Sequence, residues 1–279
     1  MIIWVASYPK SGNTWVRFFL NSLLFSKSNT VNINDIKIRL FPIRKDFENL
    51  TKNVDNLEEF VKNCLFAQER INLDNKIKIL KTHNAFWRAE NFSFTNKENT
   101  LATIYIVRDP RNVITSIKNH YIIESYEKSL EFMTNEKKII GIKKNSNLEI
   151  DLPTVISSWK NHYNSWKKLN LKYLLIKYEN LINEPLKEFT KIVKFLEQIS
   201  NFKFKLKDIL ESIDNCDFVN MKKQENNNGF IEASTNNLGE PIKFFNLGPN
   251  NNWKNMLSLE IVKNIENKFG SEMKEIGYL

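Results

Sequence analysis

The stretch that most restricts the fold of this chain is residues 2–25, which read IIWVASYPKSGNTWVRFFLNSLLF. Residues Ile2 to Ser7 are apolar enough for a buried strand. The chain then breaks at Tyr8-Pro9, turns through residues 10–14, and takes a helical pattern from Thr14 to Phe25. A strand that passes through a short glycine-containing turn into a helix predicts an α/β protein with an anion-binding loop.

Strand and helix patterns continue to alternate along the chain. Strand patterns cover Lys76–Lys81, TLATIYIVRDP at 100–110 and LKYLLIKYENL at 171–181, and helical patterns cover 111–121, 154–169 and 184–197. Alternation of this kind implies a mainly parallel sheet flanked by helices on both faces. We therefore predict a single α/β domain over residues 1–279, with a P-loop-like loop after the first strand.

Two stretches break this pattern. Residues 124–151 are charged and poorly periodic, which indicates an insertion over one face. Residues 222–252 are rich in Asn and contain Gly229, Gly239 and Gly248, and a helical pattern resumes only at Trp253. We expect the second stretch to form a mobile, lid-like loop.

The composition alone does not identify a binding partner. The net charge of +9 would suit nucleic acid, but the lysines are spread along a chain that is generally rich in Lys, Asn and Ile. Because no RNP, zinc-finger or helix-turn-helix motif is present, we predict no nucleic-acid partner. Cys64 and Cys216 lack metal-ligand spacing, so neither a disulfide framework nor a metal site is expected.

Hydrophobic segments are too short for membrane insertion. The first apolar run has about six residues, whereas a spanning helix needs about 20. We expect a cytoplasmic protein without a signal peptide or membrane span.

Three groups of residues carry the chemistry, and the first is the opening loop. Backbone N–H groups and the positive end of the helix dipole favour an anion there, and Lys10, Ser11 and Thr14 add donors. The common nucleoside-triphosphate loop has lysine after its last glycine, but Lys10 precedes Gly12. An ordinary strand–helix turn remains the alternative.

The second group is YIVRDPRNVITS, where Arg108 follows a strand and Ser116 lies on the next helix, with Arg111 between them. A guanidinium and a hydroxyl near a helix start predict a second anion site, so the ligand would carry phosphate at both ends. An ion pair between Arg108 and Asp109 that caps the helix is the alternative.

The third group is LKTH, where Lys81 and His83 lie near the end of a strand. A histidine at this edge of a parallel sheet is placed for general-base chemistry. His162 lies among aromatic residues and is expected to pack, and His120 is compatible with either role.

Together these motifs resemble those of the cytosolic, small-molecule type of sulfotransferase, which uses 3′-phosphoadenosine 5′-phosphosulfate (PAPS). YPKSGNTW resembles the 5′-phosphosulfate loop of that family, KTH its catalytic strand end, and YIVRDPRNVITS its 3′-phosphate motif. The similarity runs from about residue 3 to residue 257. It implies a sulfuryl transfer to a hydroxyl or amine, with adenosine 3′,5′-bisphosphate as product and no required metal.

The resemblance also implies roles for individual residues. His83 would be the general base, and Lys10 and Lys81 would stabilise charge on the transferred group. Trp15 and Phe218 would stack on adenine, and Arg108 and Ser116 would hold the 3′-phosphate. The implied nucleotide-binding set is Lys10, Ser11, Gly12, Asn13, Thr14, Trp15, Arg108, Ser116, Tyr178, Phe218, Gly248 and Lys254.

One motif departs from the family pattern. That pattern runs Arg-(Lys or Arg)-Gly, then any two residues, then Gly-(Asp or Glu)-Trp-Lys. Here NLGPNNNWK keeps Gly248, Trp253 and Lys254, but Asn246 and Leu247 replace the basic pair. A charge-assisted contact worth about 1.5–3 kcal/mol is therefore in question. Lys243 is a candidate replacement.

Other functions remain open on this sequence. A P-loop kinase would share the strand–loop–helix opening, and a non-catalytic family member would bind nucleotide without turnover. The acceptor is a small molecule, a saccharide or a lipid, and Phe86, Trp87 and Tyr121 are candidates either to line its site or to pack in the core. The oligomeric state is not predicted.

Overall fold

The computed structural model describes residues 1–26, 32–141, 152–233, 235 and 239–279. Its strands are β1 (Ile2–Ser7), β2 (Lys78–Thr82), β3 (Arg88–Ala89), β4 (Phe92–Ser93), β5 (Thr100–Val107), β6 (Ile139–Ile140), β7 (Thr154–Val155) and β8 (Lys172–Lys177). Its α-helices are α1 (Asn13–Phe25), α2 (Leu57–Asn72), α3 (Pro110–His120), α4 (Tyr126–Thr134), α5 (Trp159–Lys167), α6 (Tyr178–Asn183), α7 (Pro185–Ile199), α8 (Leu206–Asn215), α9 (Phe218–Asn228) and α10 (Leu259–Ile276). Short 3-10 turns cover Arg44–Phe47, Gly248–Asn250 and Trp253–Asn255.

The central sheet has four strands in the order β2-β1-β5-β8. β1 pairs in parallel with both β2 and β5, and Ala6 lies opposite both Thr82 and Tyr105. The strands therefore end at the same edge of the sheet. β1 is fully buried, which explains its nearly continuous apolar sequence. The predicted α/β class, with a central parallel sheet flanked by helices, is confirmed.

Contacts divide the described chain into two compact units that alternate along the sequence. The first comprises Met1–Pro9, Arg39–Val107 and Thr134–Leu175, and the second comprises Lys10–Ile38, Arg108–Met133 and Ile176–Leu279. The first unit contains β1, β2 and β5, and the second contains α1, α3 and the helices from α6 to α10. The single domain over residues 1–279 stays a prediction.

Aromatic residues form the core of the first unit. Trp4 is fully buried, and its ring centroid lies 5.2–6.2 Å from those of Phe41, Phe94 and Trp166. Its indole N–H donates to Thr100 Oγ1 at 3.0 Å, so the polar atom of this large side chain is satisfied inside the core.

The second unit is built around the apolar face of α1. Phe19 stacks on Phe189 of α7 with ring centroids 4.1 Å apart. Phe18, on the same helix, contacts Phe230 and Phe245. These contacts anchor the helix that follows the opening loop.

Two element boundaries differ from the sequence prediction. α5 begins at Trp159, because Thr154–Val155 pairs with Ile139–Ile140 as β7 and the Ser158 side chain caps the helix. The strand predicted over 171–181 ends at Lys177, where α6 begins. Short apolar runs do not separate a strand from a helix by periodicity alone, so tertiary pairing decided both boundaries.

The two stretches predicted to be irregular are partly ordered. Residues 126–134 form α4, and residues 142–151 lie outside the described residues. α9 begins after Asp217, whose side chain caps its first turn, and ends at Asn228 before Gly229, so the irregular segment begins at residue 229 and not at 222. Residues 234 and 236–238 lie outside the described residues, and the lid function stays a prediction.

Helix length and polarity bear on the predicted absence of a membrane span. Across the described ranges, none of the helices is both long and apolar enough to cross a membrane.

Candidate active site

The opening loop has the backbone geometry of an anion site. Lys10 and Gly12 both have positive φ values, of 66° and 97°. Gly12 precedes α1 and has no side chain that could cap it, and the first turn of α1 contains no acidic residue. The positive end of this helix dipole is thus left without a negative side chain from its own first turn.

Glycine is required at position 12 because Tyr178 packs against it. A Cβ atom on Gly12 would lie 2.3 Å from Tyr178 Cδ2, well inside van der Waals contact. Tyr178 is the first residue of α6, and burial raises the pKa of its hydroxyl. The structure thus brings two predicted nucleotide-binding residues together, although they are far apart in sequence.

Arg108 is a buried cation beside this loop. Its side chain donates from Nη1 to the Lys10 carbonyl at 3.1 Å and to Ser116 Oγ at 3.4 Å, and its guanidinium lies 4.3 Å from the Tyr178 ring centroid. Among the described residues, no carboxylate forms an ion pair with Arg108, and its Nε has no hydrogen-bond partner. A buried charge of this kind is costly without an anion.

The neighbouring ion pair settles the alternative reading of this motif. The Asp109 carboxylate caps α3 and accepts from Arg111 Nε and Nη2, and Arg111 also donates to Glu266 at 2.7 Å. The guanidinium of Arg111 lies over the Trp253 ring. The helix-capping pair is therefore Asp109–Arg111, and the alternative of an Arg108–Asp109 pair is wrong.

Ser11 supplies a second unsatisfied polar group in the loop. Its side chain is 1% exposed, and within the described part of the chain its hydroxyl has no hydrogen-bond partner. Thr14 and Asn13, also predicted to bind nucleotide, are buried at the start of α1. Buried donors without protein acceptors are expected where a ligand supplies the acceptor.

The two predicted adenine-binding residues, Trp15 and Phe218, pack against different parts of the second unit. Trp15 packs edge-on against Tyr178 and Phe189. Phe218 lies against Gly248, where a Cβ atom would approach the Phe218 ring to 2.2 Å. The ammonium of the exposed Lys254 lies 5.8 Å from the Trp253 ring centroid.

Three residues near the loop were missed from sequence. The Lys10 ammonium lies 4.0 Å from the Phe244 ring centroid, within range of a cation–π interaction. The buried Glu225 carboxylate accepts from the backbone N–H groups of Phe244 and Phe245 at 2.6 and 2.9 Å. No sequence motif marks either contact. The first joins the opening loop to the irregular segment after residue 229, and the second joins α9 to the same segment.

The third missed residue, Asn251, contacts Ser116 on α3. Its Nδ2 donates to Ser116 Oγ at 3.1 Å, and its side chain is 8% exposed. An asparagine inside an Asn-rich stretch carries no signal of this kind in sequence.

The candidate replacement for the missing basic pair is engaged elsewhere. Lys243 Nζ donates to Asn226 Oδ1 at 2.7 Å. The ammonium that reaches position 246 belongs to Lys222 of α9, which donates to the Asn246 carbonyl at 3.1 Å.

The first unit presents the predicted catalytic strand end. Lys81 is buried near the end of β2, and His83 follows the last residue of that strand. His83 Nδ1 lies 2.9 Å from the Ser7 carbonyl and 3.3 Å from Ser7 Oγ. A carbonyl oxygen can only accept, so the Nδ1 of neutral His83 carries the proton and Nε2 carries the lone pair.

His162 is a buried partner of this strand end. Its Nε2 donates to the His83 carbonyl at 3.1 Å, and its Nδ1 lies 2.7 Å from the Tyr105 hydroxyl. Burial lowers the pKa of His162 to about 4, and the hydrogen bond to His83 offsets part of this effect. The prediction that His162 packs in the core is confirmed.

The other aromatic candidates lie in separate surroundings. Phe86 contacts Trp166, and Trp87 contacts Phe60 and Phe94, all within the first unit. In the second unit, Tyr121 stacks edge-on against His120 and also contacts Phe132, while His120 is edge-on to Phe244. In the described ranges, no cluster of three His, Cys, Asp or Glu residues could hold a metal ion.

The match to a known family rests on nearly the whole chain. A family model described as a sulfotransferase domain matches residues 2–277. The chain belongs to the sulfotransferase family. The matched range includes the opening loop, the strand end at His83 and the motif that contains Arg108.

Individual relatives are distant in sequence. Sulfotransferase 1B1 of Canis lupus familiaris is 26% identical over 71% of this chain and 59% of its own length. Cytosolic sulfotransferase 7 of Arabidopsis thaliana is 26% identical over 97% of this chain and 79% of its own length. The solved structure of mouse sulfotransferase SULT7A1 complexed with PAP has a TM-score of 0.58 at 19% identity, covering 98% of this chain and 84% of that one, and this likeness shows the fold.

Proposed function

We propose that this sulfotransferase uses PAPS as its sulfuryl donor and transfers the group to a hydroxyl or amine of a small-molecule, saccharide or lipid acceptor. The observation that carries the proposal is Arg108, a buried guanidinium without a carboxylate ion pair among the described residues. Its position between the Lys10 carbonyl and Ser116 favours a ligand with a second phosphate.

The residues of the second unit fit both ends of such a ligand. The uncapped start of α1 and the buried Ser11 hydroxyl suit a 5′-phosphosulfate, and Arg108 with Ser116 suits a 3′-phosphate. Trp15 and Phe218 are proposed to contact adenine, and Gly248 leaves room for the Phe218 ring. The PAP bound to the mouse relative supports the same donor class.

The proposed chemistry requires a base and cations from this chain. PAPS, when bound, supplies an activated sulfuryl group. His83 is proposed to take a proton from the acceptor at Nε2, since its Nδ1 proton is held by the Ser7 carbonyl. Lys10 and Lys81 are proposed to contribute ammonium groups that neutralise negative charge as it develops.

Calorimetric titration tests the donor class directly. We expect adenosine 3′,5′-bisphosphate to bind at least about tenfold more tightly than ATP, because only the former matches both anion sites. Arg108→Gln should remove most of that preference, whereas Arg88→Gln, at an exposed position on β3, should retain it. Equal affinity for the two ligands would contradict the proposal, and an obligatory Mg²⁺-ATP requirement would favour a kinase.

Turnover tests the base separately from binding. His83→Ala should lower the rate of sulfuryl transfer by about 10²–10⁴-fold while bisphosphate affinity stays within about twofold. His120→Ala, at the other half-buried histidine, tests the alternative base and should keep most of its activity. Full activity in His83→Ala would assign the base to another residue.

A further inference from the structure

Asn251 joins the segment after the Gly248–Asn250 turn to α3. Its amide makes three hydrogen bonds, all to one face of that helix: from Thr115 Oγ1 at 2.8 Å, to the Asn112 carbonyl at 3.0 Å and to Ser116 Oγ at 3.1 Å. The backbone supports the same contact, since Trp253 N–H donates to Asn112 Oδ1 at 2.9 Å. A side chain this buried and this fully bonded has a defined orientation.

The partners of Asn251 determine which way its amide points. The Asn112 carbonyl can only accept a hydrogen bond, so Nδ2 must face it. Oδ1 is then directed at the Thr115 hydroxyl, whose one proton has two acceptors at 2.8 Å, Asn251 Oδ1 and the Asn112 carbonyl. Nδ2 is left with a second N–H, and this one is directed at Ser116 Oγ.

This orientation limits what the Ser116 hydroxyl can do. The oxygen has two lone pairs and one proton. Asn251 Nδ2 and Arg108 Nη1 both donate to it, at 3.1 and 3.4 Å, so both lone pairs face N–H groups. The hydroxyl proton is then available to an acceptor other than these two side chains, which are the partners of Ser116 among the described residues.

We propose that Asn251 is a positioning residue that holds Ser116 as a hydrogen-bond donor to the 3′-phosphate of the nucleotide. This inference rests on the proposed function. The Ser116 hydroxyl then gives the 3′-phosphate a second orienting contact besides Arg108. This matters in a chain in which Asn246 and Leu247 replace the basic pair of the family pattern. Asn251 acts through Ser116 and does not itself bind the phosphate.

Two nucleotides that differ only in the 3′-phosphate isolate this effect. The affinities of adenosine 3′,5′-bisphosphate and adenosine 5′-monophosphate are measured by calorimetry for the wild type, Asn251→Ala and Asn251→Asp. Asn251→Ala should weaken bisphosphate binding by about threefold to tenfold and leave monophosphate binding unchanged. Asn251 has extended backbone (φ −69°), which alanine adopts without strain.

The aspartate variant removes the donor to Ser116 and adds a negative charge. Asp keeps the shape of Asn and can still accept from Thr115, but one of its oxygens then faces the Asn112 carbonyl, so the free energy of unfolding is measured for both variants. We expect Asn251→Asp to weaken bisphosphate binding more than Asn251→Ala, and in both variants a loss confined to the bisphosphate indicates positioning, whereas a purely structural role predicts equal losses for both nucleotides.

Controls distinguish failure of this inference from failure of the proposed function. Asn250→Ala, at the exposed neighbouring asparagine, should bind both nucleotides as the wild type does. In a Ser116→Ala background, Asn251→Ala should have no further effect on bisphosphate binding. An unchanged preference for bisphosphate in both Asn251 variants overturns the inference, whereas a wild type without any such preference overturns the proposed function itself.

Discussion

At the scale of single residues, glycine and buried charge determine the site. Gly12 has a positive φ and leaves no room for a Cβ atom beside Tyr178, so two independent constraints exclude other residue types. Arg108 and Arg111 differ by three positions but have opposite surroundings. Arg111 is neutralised by Asp109 and Glu266, and Arg108 has no such partner among the described residues. Charge balance therefore separates a structural arginine from a proposed ligand-binding one.

Replacing Gly12 tests the close contact with Tyr178. Gly12→Ala should lower the free energy of unfolding by about 1–3 kcal/mol and abolish bisphosphate binding, because the ring or the loop must move. Chemical denaturation and calorimetry measure the two effects.

Gly229 provides the matched control for backbone strain. It also has a positive φ, of 70°, but a Cβ atom there would meet nothing within 4 Å. Gly229→Ala should therefore lose stability through backbone strain but retain bisphosphate binding. Loss of binding in both variants would mean that backbone strain, and not the Tyr178 contact, sets the requirement at position 12.

At the scale of elements, the helix starts differ in a way that matches their roles. α3, α5, α9 and α10 begin after Asp109, Ser158, Asp217 and Ser258, whose side chains accept first-turn N–H groups. α1 begins after Gly12 and has no such cap. α6 and α7 also lack a side-chain cap, but they carry Glu179 and Glu188 in their first turns, whereas α1 has neither a cap nor an acidic residue there. The start of α1 is therefore favourable for an anion.

α9 shows how an element can anchor an irregular segment. Glu225 holds the backbone of Phe244 and Phe245, Lys222 holds the Asn246 carbonyl, and Lys243 returns to Asn226. These contacts hold Phe244 against the Lys10 ammonium. The segment predicted as a lid is thus tied to a helix at its C-terminal part.

At the scale of the whole molecule, burial of His162 couples stability to pH. The pKa of His162 is lowered to about 4, below the usual value of about 6.5 for unfolded chains. Between these pH values the unfolded state binds more protons than the folded state. The contribution of His162 to the free energy of unfolding is therefore fully present above about pH 6.5 and is lost as the pH falls towards 4.

The size of this effect is measurable by urea unfolding. Lowering the pH from about 8 to about 5 should cost the wild type about 2 kcal/mol through His162 alone. His162→Gln should lose that pH dependence even though its stability at about pH 8 is also lower, and His120→Gln serves as the control. An unchanged pH dependence in His162→Gln would show that the buried histidine does not control acid stability.

Other properties of the whole molecule stay predictions. The +9 net charge is still interpreted as compositional bias and not as a sign of a nucleic-acid partner. Cytoplasmic location and the identity of the acceptor likewise rest on the sequence.

Local patterns in the sequence determined most of the elements around the site. β1 was predicted with its observed bounds, and α1 and β5 closely, because a fully apolar run and a 3.6-residue period are local signals. The three motifs also identified the loop, the strand end and Arg108, since each pairs a chemically distinctive residue with a strand terminus.

Only the tertiary structure decided which side chains meet. Three residue pairs near the proposed site could not be predicted from sequence: Tyr178 with Gly12, Asp109 with Arg111, and Asn251 with Ser116. They depend on how α1, α3, α6 and the C-terminal segment pack. The helical parts of the two irregular stretches, α4 and the end of α9, were missed from sequence, because side-chain capping such as that by Asp217 carries no periodicity. Periodicity records which face of an element is buried, whereas the partner that buries it comes from elsewhere in the chain.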